Sequence, residues 1–352
     1  MEKNNKIKWK FWKKAGIGLL IAGALTGIIW NLQEAPDERI IGVIPQYDSP
    51  EFQRIRSGLE EAAEEQGYKV ITSIPEEMTV QAQRKAMSEL VKEGTDCILI
   101  EAVAEGGFQD VLDECSSRNI PVLAYNSRVN SKDIYAEVLP YSIESAAEKI
   151  LSSMEAGTSK SGQFGALSTT SQDYLREART REMLKMLEKG NYPDLRFTVS
   201  GFVKEDSSLV AEKAAQLEKK YPDLEYMVCY STLDAREISD YVEKNKNGWK
   251  LICEASLEDF GSAAPEGTIV LTYDYFRYGK FLAELSVDAV GVDSAPVAGE
   301  SIKLDSDRTR IFTEKWGWDS AVDEDNDETP GFCSITMQNA PDVMVRKNGQ
   351  WK

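Results

Sequence analysis

The sequence predicts an α/β protein with two lobes, each built on a parallel sheet, and three observations support this fold. Short apolar runs of strand length alternate with amphipathic runs of helix length from residue 39 to beyond residue 270. The alternation falls into two sets of five predicted strands, which a loop at residues 158–161 divides. The 352 residues are enough for two such domains and a tether.

The first set begins with a buried strand at residues 39–45. Ser49 and Pro50 then supply the N-cap and first-turn proline of a helix. Its apolar residues recur at helical spacing, at Phe52, Ile55, Leu59 and Ala63. The other strands of this set are expected at residues 68–74, 96–100, 120–125 and 134–139.

The second set begins after residue 161 and repeats the pattern. Its strands are expected at residues 163–167, 197–203, 226–230, 251–253 and 269–273. Ligands of parallel α/β sheets bind beyond the carboxyl ends of the strands, in a crevice. The sequence therefore predicts a binding site in a cleft between the two lobes.

Aromatic and hydrogen-bonding side chains follow several of the predicted strands. A sugar needs this mixture, because an aromatic ring covers its C–H surface and planar polar groups bind its hydroxyls. Each strand end alone is also consistent with a surface turn or a helix cap, so the prediction depends on their recurrence. The candidate ligand-binding residues are Gln46, Tyr47, Asp48, Phe52, Asn126, Ser127, Arg128, Arg176, Ser231, Ser256, Tyr273 and Asp274.

The composition excludes several classes of function. Lys and Arg total 41 against 59 Asp and Glu, a net charge of −18 that disfavours nucleic acid as a partner. The chain has no histidine, which removes His-based catalysis and His-based metal sites. The five cysteines form no C-x-x-C motif, and Cys97, Cys229 and Cys253 lie in apolar runs typical of buried thiols. We therefore expect no cofactor and no metal ion.

The amino terminus has the pattern of a membrane anchor. Six lysines fall within residues 3–14, and no charge follows between residues 15 and 33. We predict a cytoplasmic segment at residues 1–14, a transmembrane helix at 15–32 and a linker at 33–38, with the remainder outside the cytoplasm. A cleaved signal peptide is the alternative, although Ile28, Ile29 and Trp30 are not the small residues that signal peptidase needs.

Three stretches of the sequence, taken in their order along the chain, resemble those of a known family. They are IGVIPQYDSPEFQRIRSGLEEAAEEQGY at residues 41–68, SSRNIPVLAYNS at 116–127 and YDYFRYGKFLAELSVDAV at 273–290. Between about residues 39 and 299 the chain resembles the type I periplasmic sugar-binding proteins, particularly the ribose-binding and autoinducer-binding receptors. The resemblance implies two Rossmann-like lobes that close on a ligand, with the chain crossing between them near residues 140, 274 and 300.

The resemblance also implies domain boundaries and roles. The first lobe would comprise residues 39–140 with 275–300, the second 141–274, and residues 301–352 would form an extension of unassigned packing. Gln46 and Tyr47 match the family's first-strand contacts, Arg176 its first contact in the second lobe, and Tyr273 with Asp274 its last crossing. Asn126 and Ser127 replace the family's acidic residue and arginine, Ser231 replaces an asparagine, and Ser256 lies near its aspartate. The usual sugar-binding set is therefore not reproduced, and the ligand stays open.

Three functions follow from this reading. The first is an extracytoplasmic receptor that binds a small polar ligand, with a sugar as the best match, and delivers it to an ABC permease. The second is a membrane-anchored, sugar-sensing partner of a histidine kinase. The third is an enzyme acting on glycosides through paired carboxylates, which is disfavoured because the sequence has no phosphate loop and no nucleophile elbow.

Overall fold

The computed structural model describes residues 38–158, 162–168, 174–202, 209–229, 232–255, 264–291, 334–338, 342–347 and 350–351. Of residues 1–39, only Glu38 and Arg39 are described. The predicted anchor at residues 15–32 lies outside the described residues. No helix within the described ranges is long and apolar enough to cross a membrane.

The first lobe alternates strands and helices along the chain. Its elements are β1 (Arg39–Ile44), α1 (Pro50–Glu65), β2 (Tyr68–Thr72), α2 (Val80–Lys92), β3 (Cys97–Ile100), α3 (Gln109–Ser117), β4 (Val122–Tyr125) and β5 (Ala136–Tyr141). Helix α1 begins where the sequence predicts, because the Ser49 side chain accepts a hydrogen bond from the Phe52 N–H at 3.0 Å. It ends before Gly67, whose φ of 78° is left-handed.

The second lobe continues the same alternation. Its elements are α4 (Ile143–Gly157), β6 (Gln163–Ser168), α5 (Tyr174–Glu188), β7 (Arg196–Phe202), α6 (Val210–Lys220), β8 (Leu224–Cys229), α7 (Thr232–Asn245), β9 (Lys250–Glu254) and β10 (Ile269–Thr272). Helix α8 (Tyr275–Val290) follows β10 and packs against α1 in the first lobe.

The carboxyl-terminal residues complete both sheets. Strand β11 (Ser334–Gln338) pairs in parallel with β5, whereas β12 (Asp342–Lys347) pairs antiparallel with β10. Strand β13 (Gln350–Trp351) pairs antiparallel with β12. The described strand orders are β11-β5-β4-β3-β1-β2 and β13-β12-β10-β9-β8-β6-β7. The expectation of five strands in each sheet is therefore corrected to six and seven described strands.

The described elements change from one lobe to the other at three points along the chain. These points lie between β5 and β6, between β10 and α8, and between β11 and β12. The first two lie near the expected crossings at residues 140 and 274. The crossing expected near residue 300 lies outside the described residues, and the third described point falls between Gln338 and Asp342.

Helices cover both faces of each sheet, which gives the doubly wound α/β arrangement. In the first sheet, Ile41 and Val43 pack with α1 and α8, whereas Ile44 packs with α2 and α3 on the opposite face. In the second sheet, Val228 packs on the face with α4 and α5, and Met227 on the face with α6 and α7. This period of two buries both faces, so the strands read as continuous apolar runs. The predicted α/β fold with two mainly parallel sheets is confirmed.

Helices α1 and α8 approach each other through two glycines. A Cβ atom placed on Gly279 would lie 1.9 Å from the Ile55 carbonyl oxygen. One placed on Gly58 would lie 1.9 Å from the Phe276 carbonyl oxygen. The two backbones therefore touch at these positions, and no side chain fits between them.

The described cysteines are buried thiols, as the sequence predicts for Cys97, Cys229 and Cys253. Burial raises the pKa of the Cys97 and Cys115 thiols to about 12. Burial also raises the pKa of Cys229 and Cys253. All four are therefore protonated at neutral pH and behave as small apolar residues. Cys333 lies outside the described part of the chain.

Candidate functional site

A cleft lies where strands of both sheets end at their carboxyl termini. It encloses about 560 Å³, including the part that is open to solvent. Strands β1, β3 and β4 contribute from the first sheet, and β9 and β10 contribute from the second. The residues that line it are Gln46, Tyr47, Ser49, Glu51, Phe52, Ile55, Glu101, Asn126, Glu254, Tyr273 and Tyr275. This is the position at which parallel α/β sheets bind ligands.

Gln46, Glu101 and Asn126 form the polar side of the cleft in the first lobe. Gln46 is 3% exposed, and its Nε2 donates to the Ala102 carbonyl oxygen at 3.0 Å. The Glu101 carboxylate accepts from the Gln46 N–H at 3.5 Å and from Asn126 Nδ2 at 3.3 Å. Asn126 has a left-handed φ of 52°, and its buried Oδ1 has no hydrogen-bond partner among the described residues. This oxygen is an acceptor available to a ligand.

A cluster of four tyrosines lies at the cleft, and two of them, Tyr273 and Tyr275, line it. The Tyr273 ring lies at the centre, with its centroid 4.2 Å from the Tyr275 centroid, 5.8 Å from Tyr141 and 5.7 Å from Tyr278. Burial raises the pKa of the Tyr273 hydroxyl well above 10.0, so it is protonated at neutral pH. Tyr273 and Tyr275 lie beside the second point at which the described elements change lobe.

A buried network joins the lobes at the base of the cleft. Arg179 on α5 is 1% exposed, and its Nη1 donates to the Tyr141 hydroxyl at 2.8 Å and to Glu254 Oε2. The Tyr141 hydroxyl in turn donates to Glu254 Oε2. Tyr141 ends β5 of the first sheet, whereas Arg179 and Glu254 belong to the second lobe. The network therefore links the two lobes through one carboxylate.

A second polar contact crosses between the lobes at the rim. Thr232, the first residue of α7 in the second lobe, donates its hydroxyl hydrogen bond to Glu51 Oε1. Glu51 lies in the first turn of α1, two residues after the N-cap Ser49. Both Ser49 and Glu51 line the cleft. The contact is made only when the two lobes are close.

The structure brings five of the sequence-predicted ligand residues together in the cleft. They are Gln46, Tyr47, Phe52, Asn126 and Tyr273. Arg176 lies on α5, but its side chain is outside the described part of the chain. Ser231 and Ser256 fall outside the described residues altogether.

Four predicted residues do not line the cleft and have structural contacts instead. Asp48 is exposed and accepts from Gln53 Nε2 at 3.3 Å. Ser127 is buried, and its Oγ accepts from the Ala102 N–H at 2.8 Å and donates to the Tyr125 carbonyl oxygen at 3.0 Å. Arg128 forms an ion pair with Glu137. Asp274 is exposed and caps α8 by accepting from the Arg277 N–H at 2.8 Å.

The Arg128–Glu137 pair predicts a pH effect on stability. Glu137 is fully buried, and its pKa lies above 4.5. Burial raises this pKa by more than Arg128, whose Nε lies 2.8 Å from the carboxylate, lowers it. The folded state therefore binds this proton more tightly than the unfolded state. The stability that protonated Glu137 contributes is fully present below the pKa that Glu137 has in the unfolded chain. It is lost as pH rises through the pKa of Glu137 in the folded protein.

We expect Glu137→Gln to remove this dependence. Thermal unfolding of both proteins across acid to neutral pH should show the stability difference moving in favour of the variant as pH rises above about 4.5. Glu148→Gln, at an exposed position on α4, is the control. A constant difference between Glu137→Gln and the parent protein would contradict the expectation.

Sequence reasoning missed several residues of the site. The cleft residues it did not select are Ser49, Glu51, Ile55, Glu101, Glu254 and Tyr275. Glu101 and Glu254 follow or end apolar strands, so the strand-end rule could have identified them. Arg179 lies one helical turn beyond Arg176, and only the tertiary structure shows which turn meets Tyr141. Among the described residues no group of Cys, Asp and Glu could hold a metal ion.

The chain is similar in sequence to known proteins. The periplasmic binding protein domain family matches residues 41–269. One curated relative, the ABC transporter periplasmic-binding protein YphF of Escherichia coli K12, is 26% identical over 124 residues. That match covers 35% of this chain and 38% of the relative, so it spans well under half of either protein.

Solved structures with the same fold cover most of the chain. An ABC transporter solute-binding protein from Clostridium phytofermentans with bound L-rhamnose has a TM-score of 0.72 at 16% identity, covering 90% of this chain and 98% of its own. LsrB from Clostridium saccharobutylicum in complex with AI-2 has a TM-score of 0.68 at 13% identity, with coverages of 88% and 98%. A solute-binding protein from Burkholderia graminis in complex with D-arabinose has a TM-score of 0.66 at 16% identity, with coverages of 75% and 93%. With a family match over more than half of its length and a cleft between two doubly wound lobes, the chain belongs to the periplasmic binding protein domain family.

Proposed function

We propose that the protein is an extracytoplasmic receptor that binds a small polar ligand of the sugar class and delivers it to an ABC permease. The observation that carries the proposal is the cleft between the two sheets, lined by tyrosine rings, amides and carboxylates from both lobes. Aromatic faces and planar hydrogen-bonding groups suit a polyhydroxylated ligand. The bound L-rhamnose, D-arabinose and AI-2 in three proteins of the same fold support this class of ligand.

Binding is coupled to closure of the lobes. A ligand in the cleft contacts Tyr47 and Asn126 of the first lobe and Glu254 of the second only when the lobes are close. Its differential affinity for the closed form shifts the population toward that form. The permease would recognise the closed form, and release would follow when the lobes separate. The protein alters no bond in its ligand.

The amino-terminal sequence supports anchoring of the receptor in the membrane. Residues 15–32 would span the bilayer, with the lysines of residues 3–14 in the cytoplasm and the cleft outside. Cleavage of this segment as a signal peptide is the alternative. A permanent anchor also favours the second candidate function, a sensing partner of a membrane histidine kinase, because tethering raises the local concentration of such a partner.

A thermal-shift screen of the full chain in detergent tests the proposal. A monosaccharide that binds the cleft should raise the melting temperature by mass action. Tyr47→Ala should weaken binding of that sugar about fivefold, because it removes an aromatic face worth about 1 kcal/mol. Tyr192→Ala is the matched control, since Tyr192 is also partly buried but does not line the cleft. The proposal is wrong if no sugar or sugar derivative raises the melting temperature.

A further inference from the structure

One hydrogen bond joins the two lobes directly at the rim of the cleft. Thr232, the first residue of α7 in the second lobe, is 2% exposed, and its hydroxyl donates to Glu51 Oε1 on α1 of the first lobe. Glu51 lines the cleft, whereas Thr232 is not among the described residues that line it. The contact therefore holds the two lobes together without passing through a ligand.

Two helices favour a carboxylate at this position. Glu51 belongs to the first turn of α1, and the hydrogen bond brings its carboxylate to the first residue of α7. The amino-terminal end of a helix carries a partial positive charge, which stabilises a nearby negative charge. A hydrogen bond from a hydroxyl to a carboxylate is also stronger than one between neutral groups. The contact therefore stabilises the form in which the lobes are close, which is the closed form.

Separation of the lobes must break this hydrogen bond. Glu51 follows β1 and Thr232 follows β8, and neither strand borders a described point at which the chain changes lobe. By contrast, Tyr141 of the buried network ends β5, directly before the chain enters the second lobe. Rotation of the lobes about such a point moves Glu51 and Thr232 apart more than it moves Tyr141. In the open form, water replaces the lost partner of each group.

We propose that the hydrogen bond between Glu51 and Thr232 is a latch that favours the closed form and so sets how tightly the cleft holds its ligand. The latch stabilises the closed form whether or not a ligand is bound. Its effect on affinity rests on the proposed function, because the apparent affinity of a ligand falls with the fraction of molecules in the form that binds it. Thr232 is a positioning residue, since it acts through closure and does not touch the ligand.

The substitution Thr232→Val isolates the latch. Valine has nearly the shape of threonine but no hydroxyl, so Glu51 loses its donor in the closed form while the open form is little changed. Thr232→Ser keeps the hydroxyl and should retain the latch. Thr198→Val is the matched control, because the Thr198 hydroxyl donates to Gln163 Oε1 at 3.3 Å within the second lobe alone.

The distance between spin labels on the two lobes tests the latch in the full chain in detergent, without added ligand. Ser57 on α1 and Asp240 on α7 are exposed and are replaced by cysteine. Cys333 is replaced by serine, and the other four native cysteines are buried and do not react with the label. Thr232→Val should lower the ratio of short to long distances about tenfold, the usual effect of losing a hydrogen bond to a charged group. Thr232→Ser and Thr198→Val should leave this ratio unchanged.

Calorimetric titration with L-rhamnose, D-arabinose, D-ribose, D-glucose and D-galactose measures the effect on affinity. A sugar that binds the parent protein should bind Thr232→Val more weakly, by up to about tenfold, because the closed fraction is smaller. Unchanged sugar affinity despite a shift in the label distances would overturn the role in holding the ligand.

The label distances and the titrations separate the two proposals. If the parent protein shows no short distance, or if Thr232→Val leaves the distances unchanged, the latch is overturned, and sugar binding still decides the proposed function. If the distances shift but no sugar of this or a wider panel binds the parent protein, the latch stands and the proposed function is overturned.

Discussion

Replacing Arg179 with methionine should destabilise the protein by about 3–5 kcal/mol, the usual cost of removing one partner of a buried ion pair. Arg179 is 1% exposed and Glu254 is 7% exposed, so water cannot replace the lost guanidinium. The Glu254 carboxylate would keep only the Tyr141 hydroxyl as a described hydrogen-bond donor. The substitution retains most of the side-chain length, and the loss therefore reports mainly on the charge. Chemical denaturation measures it as a change in midpoint at constant slope.

A second substitution separates the charge from the packing. Arg179→Met combined with Glu254→Gln should recover much of the lost stability, because no unpaired carboxylate is left buried. Arg181→Met, two residues along α5 at an exposed position, is the control and should change stability by no more than about 0.5 kcal/mol. Equal stability of the Arg179 and Arg181 variants would show that the network contributes nothing.

The strands from β1 to β10 and helix α1 were predictable because their signals are local. Strands β1, β3 and β8 are buried on both faces, and such strands appear in a sequence as short continuous apolar runs. Helix α1 has its N-cap at Ser49 and a buried stripe that includes Phe52 and Ile55. Caps and helical periodicity are properties of adjacent residues, so one sequence is sufficient to find them.

The carboxyl-terminal strands were not predictable in the same way. Ser334 in β11 pairs with Glu137 in β5, and Asp342 in β12 pairs with Thr272 in β10. These partners are far apart in the chain, and nothing near β11 or β12 specifies them. Strand pairing at this distance depends on which sheet edges the rest of the fold leaves open.

The site was predictable in position but only partly in composition. The strand-end rule located Gln46, Tyr47 and Asn126, which line the cleft. It could not tell that Asp48, the next residue after Tyr47, is exposed, or that Arg128 is occupied by Glu137. The same rule did not select Glu101, although Glu101 directly follows β3. Side-chain direction at a strand end depends on tertiary contacts that the sequence pattern does not contain.

Replacing Gly279 with alanine should destabilise the protein by about 3 kcal/mol, at the upper end of the usual cost of overpacking. Helix propensity alone favours alanine over glycine by about 1 kcal/mol, so the expected sign depends on which effect is larger. The new Cβ would lie 1.9 Å from the Ile55 carbonyl oxygen and 2.8 Å from the Leu59 nitrogen. Both are backbone atoms of α1, so no side chain can rotate away. The two helices must separate, and buried contacts of α1 and α8 with the first sheet are lost.

Two further variants test whether the backbone contact between α1 and α8 causes the loss of stability. Gly58 lies on α1 and faces α8, so Gly58→Ala should have a similar effect, because its Cβ would meet the Phe276 backbone. Gly106→Ala should be close to neutral, since nothing lies within 4 Å of a Cβ at that position. Midpoints of thermal or denaturant unfolding measure all three variants. A gain in stability for Gly279→Ala would mean that the helices separate freely and that helix propensity is the larger effect. A loss of stability in Gly279→Ala and Gly58→Ala, with none in Gly106→Ala, would instead show that the close backbone contact between α1 and α8 stabilises the protein.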